Sequence, residues 1–224
     1  MMRFSVILAA RLRSSRLPAK ALLPLAGLPL ITFLLRRLRG ASLVDRVVLA
    51  TTTRPEDRHL AALAEAEGAS VFFGSEDDLI RRYLDACDRY GIDHPVRVTG
   101  DCPFVDAASL DHCLAQCARE EGFDLASTKG AFPVGIDYEV FRASSLAAAH
   151  ASGEPDAADR EHLTKFFYDH DRRFRVARLS PPPEWPRCSR AFTVDTLDDY
   201  LFCKALADRL GPGAAVGDLL REAS

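Results

Sequence analysis

The chain has 224 residues, 48% of them hydrophobic and 27% charged, with a formal net charge of −3. That length and apolar content suffice for one large α/β domain with a substantial core, and they exclude a disordered chain. The slightly acidic balance argues against general nucleic-acid binding, so a basic cluster within it reads as a local site for a small anion.

The first apolar run predicts a strand over 3–10, broken by Arg11 before it reaches the length of a signal peptide's hydrophobic region. A basic segment follows at once, with Arg11, Arg13, Ser14, Ser15, Arg16, Leu17, Pro18, Ala19 and Lys20. A buried strand cannot continue into so many cations, so the chain leaves the core there and presents them at the strand's carboxyl end, where open α/β sheets bind ligands. Arginine forks suit phosphate oxygens, lysine adds a point charge, and Ser14 and Ser15 add hydroxyl and backbone donors. Leu17 and Pro18 turn Lys20 back toward the loop. These residue types suit a triphosphate, the competing reading being a solvated basic loop; the Walker pattern G-x-x-x-x-G-K-[ST] is absent.

Strands predicted over 45–51, 69–73 and 95–99 alternate with helices over 29–39, 56–67, 77–90 and 107–120, the pattern of a mainly parallel sheet with helical crossovers. The stretch 22–35 carries two prolines and is too short to span a bilayer, which predicts a soluble cytoplasmic protein with no membrane partner. Beyond Gly122 the periodicity predicts strands over 123–128, 138–142 and 174–179, helices over 144–151, 159–169 and 197–210, and an extended connection at 181–186. Six cysteines read as free thiols, because the chain is neither small nor secreted-looking, and Cys113 with Cys117 lacks a second pair for zinc. No linker divides the chain, so we expect one domain over 1–224, with a nucleotide-binding half over 1–122 and an acceptor-binding half over 123–224.

Asp101 follows Gly100 at the end of the fourth strand, which delivers it to the same sheet edge as the basic loop; a turn cap is the plainer reading. Thr196 predicts an N-cap with Asp198 and Asp199 in a first helical turn, an account that leaves Asp195 unexplained. Thr51, Thr52, Gly74 and Ser75 offer hydroxyls and a close-approach backbone for a base and ribose, or form ordinary polar turns. Asp137 and Glu139 share one strand face, and Arg160 with His162 lies near a helix start; either group suits a polyhydroxylated acceptor, and an exposed strand face and a solvated helix end explain the same residues equally well.

The run 9–20 resembles the signature loop of the cytidylyltransferases that activate acidic sugars, most closely their SpsF-like spore-coat polysaccharide branch. Four further segments match that branch in order: 73–79, 96–106, 135–141 and 193–199. The resemblance implies a Rossmann-like nucleotidyltransferase fold, a mainly parallel mixed sheet flanked by helices, and an excursion near 130–170 that forms a homodimer. It implies CTP and an acidic sugar as partners, nucleotide contacts from Ala9, Ala10, Arg11, Ser15, Arg16, Lys20 and Thr99, and Mg²⁺ held by Asp101 and Asp195. It also implies catalytic roles for Arg11, Lys20, Asp101 and Asp195 in transferring CMP with release of pyrophosphate. Two positions depart from the family pattern: Ala19, where glycine is usual and an alanine calls for negative φ, and Cys102, where CMP-Kdo synthetases carry glutamate. Rival readings are a nucleotidyltransferase for another nucleotide or a non-sugar acceptor, and a non-catalytic nucleotide-binding protein.

Overall fold

The computed structural model describes residues 2–120 and 122–224. In chain order, β1 (Phe4–Ala9) leads through the basic loop to a small hairpin, β2 (Pro24–Leu25) and β3 (Leu28–Pro29), and then α1 (Leu30–Leu38). Next come β4 (Val44–Thr52), α2 (Arg58–Ala66), β5 (Ser70–Gly74), α3 (Leu79–Tyr90), β6 (His94–Thr99) and α4 (Ala107–Cys117). The remainder is β7 (Leu125–Ser127), β8 (Glu139–Phe141), α5 (Ala143–Ala151), α6 (Ala157–His162), α7 (Lys165–Asp169), β9 (Val176–Arg178), α8 (Leu197–Leu210) and α9 (Val216–Ala223).

Seven strands form one sheet in the order β5-β4-β1-β6-β8-β7-β9. Strands β5, β4, β1 and β6 run parallel, whereas β8 is antiparallel to both β6 and β7. Period-two alternation splits the core into two layers. Phe4, Val6 and Leu8 pack on one face with α1, α4, α8 and α9, while Ile7, Val48 and Ala50 pack on the other with α3, α5 and α7. From β1 the chain builds outward to β4 and β5, then crosses back to place β6 on the other side of β1. The crevice beyond β1 and β6 is therefore the topological switch point, and the basic loop and the Gly100–Asp101 turn both emerge there.

Two local expectations are corrected, and two elements were not foreseen. The helix over 159–169 is two short helices, broken at Leu163 (φ +42°, ψ −62°), where the Thr164 N–H turns back to the His162 carbonyl at 2.5 Å. The break drops the Leu163 side chain into the core and aims the Thr164 hydroxyl at Glu139. Ala19 has φ +55°, in the left-handed region, not the negative φ that alanine prefers. The β2–β3 hairpin and α9 had no counterpart in the periodicity. The hairpin turns on Ala26 and Gly27, both at positive φ, and α9 buries only Val216, Leu219 and Leu220.

Candidate active site

A cavity of about 520 Å³ opens at the switch point. Its walls are the basic loop, the end of β6, the start of α3, Asp195 and the inner face of α6. The loop is fastened at both ends: the Ala19 N–H donates to the Leu12 carbonyl at 2.9 Å, and the Leu12 N–H donates to Asp57 at 2.8 Å. Asp57 is buried and accepts a hydrogen bond from the Thr52 hydroxyl.

Lys20 is the centre of the charge arrangement. Its Nζ donates to Asp101 Oδ2 and to Asp195 Oδ1, each at 2.8 Å, and Arg16 reaches the same Asp195 oxygen at 2.8 Å. Asp195 is brought there by backbone pairing, because the Val194 N–H donates to the Asp101 carbonyl at 2.8 Å. The capping box of Thr196 and Asp199 then starts α8, leaving Asp195 outside the helix with its carboxylate directed into the cavity. Burial alone would lower the Lys20 pKa, but Asp101 and Asp195 outweigh it and the net shift is upward. Burial alone would raise the Asp101 carboxyl, but the Lys20 charge and hydrogen bond hold it below the usual carboxylate range. Arg11 also lines the cavity and makes no ion pair among the described residues.

Most of the expected residues converge here: Ala9, Ala10, Arg11, Ser15, Arg16, Lys20, Thr99, Asp101, Arg160, His162 and Asp195 all line the cavity. Six others do not. Thr51 and Thr52 are fully buried, so Thr52 serves the loop through Asp57 and the Thr51 hydroxyl has no partner among the described residues. Gly74 and Ser75 lie behind the wall, where the Ser75 carbonyl accepts from Arg82 Nε at 2.6 Å and a Cβ on Gly74 would fall 2.7 Å from Arg82 Cγ. Asp137 accepts from the Gly135 N–H at 2.7 Å, and burial pushes its carboxyl above the usual range. Glu139 is buried, with its oxygens taken by Arg97, Thr164 and Tyr168.

Several cavity residues were not singled out in the sequence. Glu76, just before α3, holds Arg54 from just past the end of β4 at 2.5 Å and the loop's Arg13 at 3.5 Å. Arg82 is 3% exposed and braces the 75–76 backbone. Arg97 was legible as a lone cation inside the apolar strand 95–99, a placement that requires a partner.

The architecture is the Rossmann-like nucleotidyltransferase fold, and it superposes on a solved cytidylyltransferase from Leptospira borgpetersenii serovar Hardjo-bovis. That match has a TM-score of 0.91 and 31% identity, covering 99% of this chain and 94% of that one. A family model described as cytidylyltransferase matches residues 5–205, and the chain belongs to the cytidylyltransferase family. The spore coat polysaccharide biosynthesis protein SpsF of Bacillus subtilis is 31% identical over 220 residues, covering 96% of this chain and 91% of the relative. A 3-deoxy-manno-octulosonate cytidylyltransferase of Geobacter sulfurreducens is 31% identical over 130 residues, 57% of this chain and 50% of the relative. No helix among the described residues is long and apolar enough to cross a membrane.

Proposed function

We propose that the protein transfers CMP from CTP to a sugar acid or related acceptor, with release of pyrophosphate and dependence on Mg²⁺, in the biosynthesis of a surface polysaccharide or glycoconjugate. The observation that carries this reading is the convergence of Asp101 and Asp195 on one ammonium, that of Lys20, inside a cavity lined by Arg11 and Arg16. Asp101 and Asp195 would hold a Mg²⁺ ion, a hard cation that takes carboxylate oxygens as ligands. Bound there, such an ion would supply charge neutralisation at the α-phosphate.

The chain's own residues do the rest. Arg11, Arg16 and Lys20 hold the triphosphate and stabilise the departing pyrophosphate, while Ala9, Ala10, Ser15 and Thr99 give the nucleotide a close, small-residue floor. Lys20 is released from its two carboxylates to a phosphate as the nucleotide enters. Arg160 and His162 on α6 face the acceptor, whose oxygen attacks the α-phosphorus in line with the leaving pyrophosphate. The segment 130–170 carries the dimer contact, and the enzyme works in the cytoplasm.

The test is pyrophosphate release with each nucleoside triphosphate and a set of 2-keto sugar acids, with and without Mg²⁺. CTP should be preferred, chelation should stop turnover, and Asp101→Ala should reduce it by at least about 10²-fold with the fold intact. Equal use of other nucleotides, or full activity of that variant, would sink the reading.

A further inference from the structure

Arg97 sits on β6 two residues before Thr99, on the same strand face, and both line the cavity. It shares the cavity lining with the loop cations and with Arg160 and His162 of α6. A guanidinium has five N–H donors, yet the side chain makes a single hydrogen bond among the described residues, from Nη1 to Glu139 Oε2 at 2.8 Å. Its Nε is buried and has no partner among the described residues, and a quarter of the side chain remains exposed. An arginine kept inside a sheet with most of its donors unused is costly as a purely structural element.

Its carboxylate partner is held with unusual completeness. Glu139 is directly across from Arg97 in the β6–β8 register and is itself 5% exposed. Thr164 donates to Glu139 Oε2 at 2.7 Å, Tyr168 donates to Oε1 at 2.5 Å, and the Tyr168 hydroxyl also meets Ser127 Oγ at 2.6 Å. The backbone reversal at Leu163 is what separates α6 from α7 and brings Thr164 and Tyr168 to this point. The result fixes Nη1 of the guanidinium and leaves Nη2, unpaired among the described residues, for a ligand in the cavity, while the buried Nε is out of a ligand's reach.

We infer that Arg97 is the specificity-determining anchor for an acceptor carboxylate, and that Glu139, Thr164 and Tyr168 are its positioning residues. This rests on the cytidylyltransferase reading above and assigns one group of the acceptor to one side chain. The loop cations serve the nucleotide phosphates, so Arg97 reads the second substrate. Glu139 already neutralises most of its charge, so a monoanionic carboxylate matches the site better than a phosphate dianion.

The test is calorimetric titration of 3-deoxy-manno-octulosonate, its neutral methyl ester and glucose 6-phosphate into the full chain, with and without CTP. Because Arg97→Gln alone strands a buried carboxylate, the principal variant is the charge-neutral pair Arg97→Gln with Glu139→Gln, whose folding is checked by its melting curve. The acid should bind, the ester and the sugar phosphate should bind at least about tenfold more weakly, and the double variant should lose the acid by a similar factor while keeping its CTP affinity. Tyr168→Phe should raise KM for the acid and leave that for CTP unchanged. Absence of acid binding, equal binding of the ester or phosphate, or an unchanged double variant overturns the assignment. Absence of CTP binding to the natural chain overturns the nucleotide reading instead, and the titration without nucleotide still reads Arg97.

Discussion

Gly100 and Ala10 close the two central strands against each other at the mouth of the cavity. A Cβ on residue 100 would lie 2.6 Å from Ala10 Cβ and 3.2 Å from the Ala9 carbonyl oxygen, and the Gly100 N–H donates to that same carbonyl at 2.8 Å. The neighbour is a second backbone, which cannot swing aside as a long side chain can. Gly100→Ala should therefore destabilise the fold by about 1–3 kcal/mol and displace Asp101, its immediate successor. Urea unfolding and pyrophosphate release should both fall; a variant normal in both would show that the strands have slack.

Ala19 holds a left-handed conformation immediately before Lys20. That conformation costs an L-residue about 1–2 kcal/mol, of which the greater unfolded-state entropy of glycine cancels about 0.5–1. Ala19→Gly should raise stability by up to about 1 kcal/mol, whereas the β-branched Ala19→Val should lower it by more than 1 kcal/mol. Thermal melts of the three proteins decide the order.

The Lys20–Asp101 pair makes a signed prediction. Asp101 is held below its usual 3.8, so its contribution is present above that pH and lost as pH falls through the folded value. Lys20 is held above its usual 10.5, so its contribution is complete below that pH and lost as pH rises through the folded value. The pair should be indifferent to pH between about 4 and 10. In Lys20→Met the burial remains and the counter-charge is gone, so the Asp101 carboxyl should titrate above 3.8, read by carbon NMR of the aspartate side chains. An unshifted carboxyl would show that Arg16 or solvent compensates.

Asp137 gives the opposite sign. Burial raises its carboxyl above 3.8, so the folded state holds that proton to higher pH than the unfolded chain, and stability declines as pH rises from 3.8 through the folded value. Asp137→Asn retains an acceptor for the Gly135 N–H and removes the charge. The variant should match or exceed the natural chain in stability at neutral pH, with the difference vanishing in acid. A variant less stable at neutral pH would mean the charge itself is required.

Apart from the β2–β3 hairpin, the strands and helices of residues 1–120 were legible because each has a single period and a sharp end: β1 stops at a run of cations and α3 is capped by Asp78, whose side chain accepts from the Arg81 N–H at 2.8 Å. The helix over 159–169 was misjudged because its apolar spacing is helical throughout, and only the pull of Glu139 on Thr164 and of the core on Leu163 breaks it. Thr51 and Thr52 looked like ligand hydroxyls because hydroxyls end strands in both roles; burial beneath the loop separated the two. Arg97 signalled the need for a partner, but neither it nor Arg82 revealed which one, since a cation's sequence neighbours do not say whether its partner lies across a turn or across a sheet.

The sequence by itself determined the parallel α/β architecture, the basic loop at the first strand's end and the presence of aspartates near the ends of two later segments, because periodicity and charge act over a few residues. Only the tertiary structure decided that Lys20 joins Asp101 and Asp195, across 81 and 175 residues, and that Arg97 and Glu139 face one another across the sheet. Those pairings depend on strand order and register, which are set by the packing of the whole core and leave no local trace in the chain.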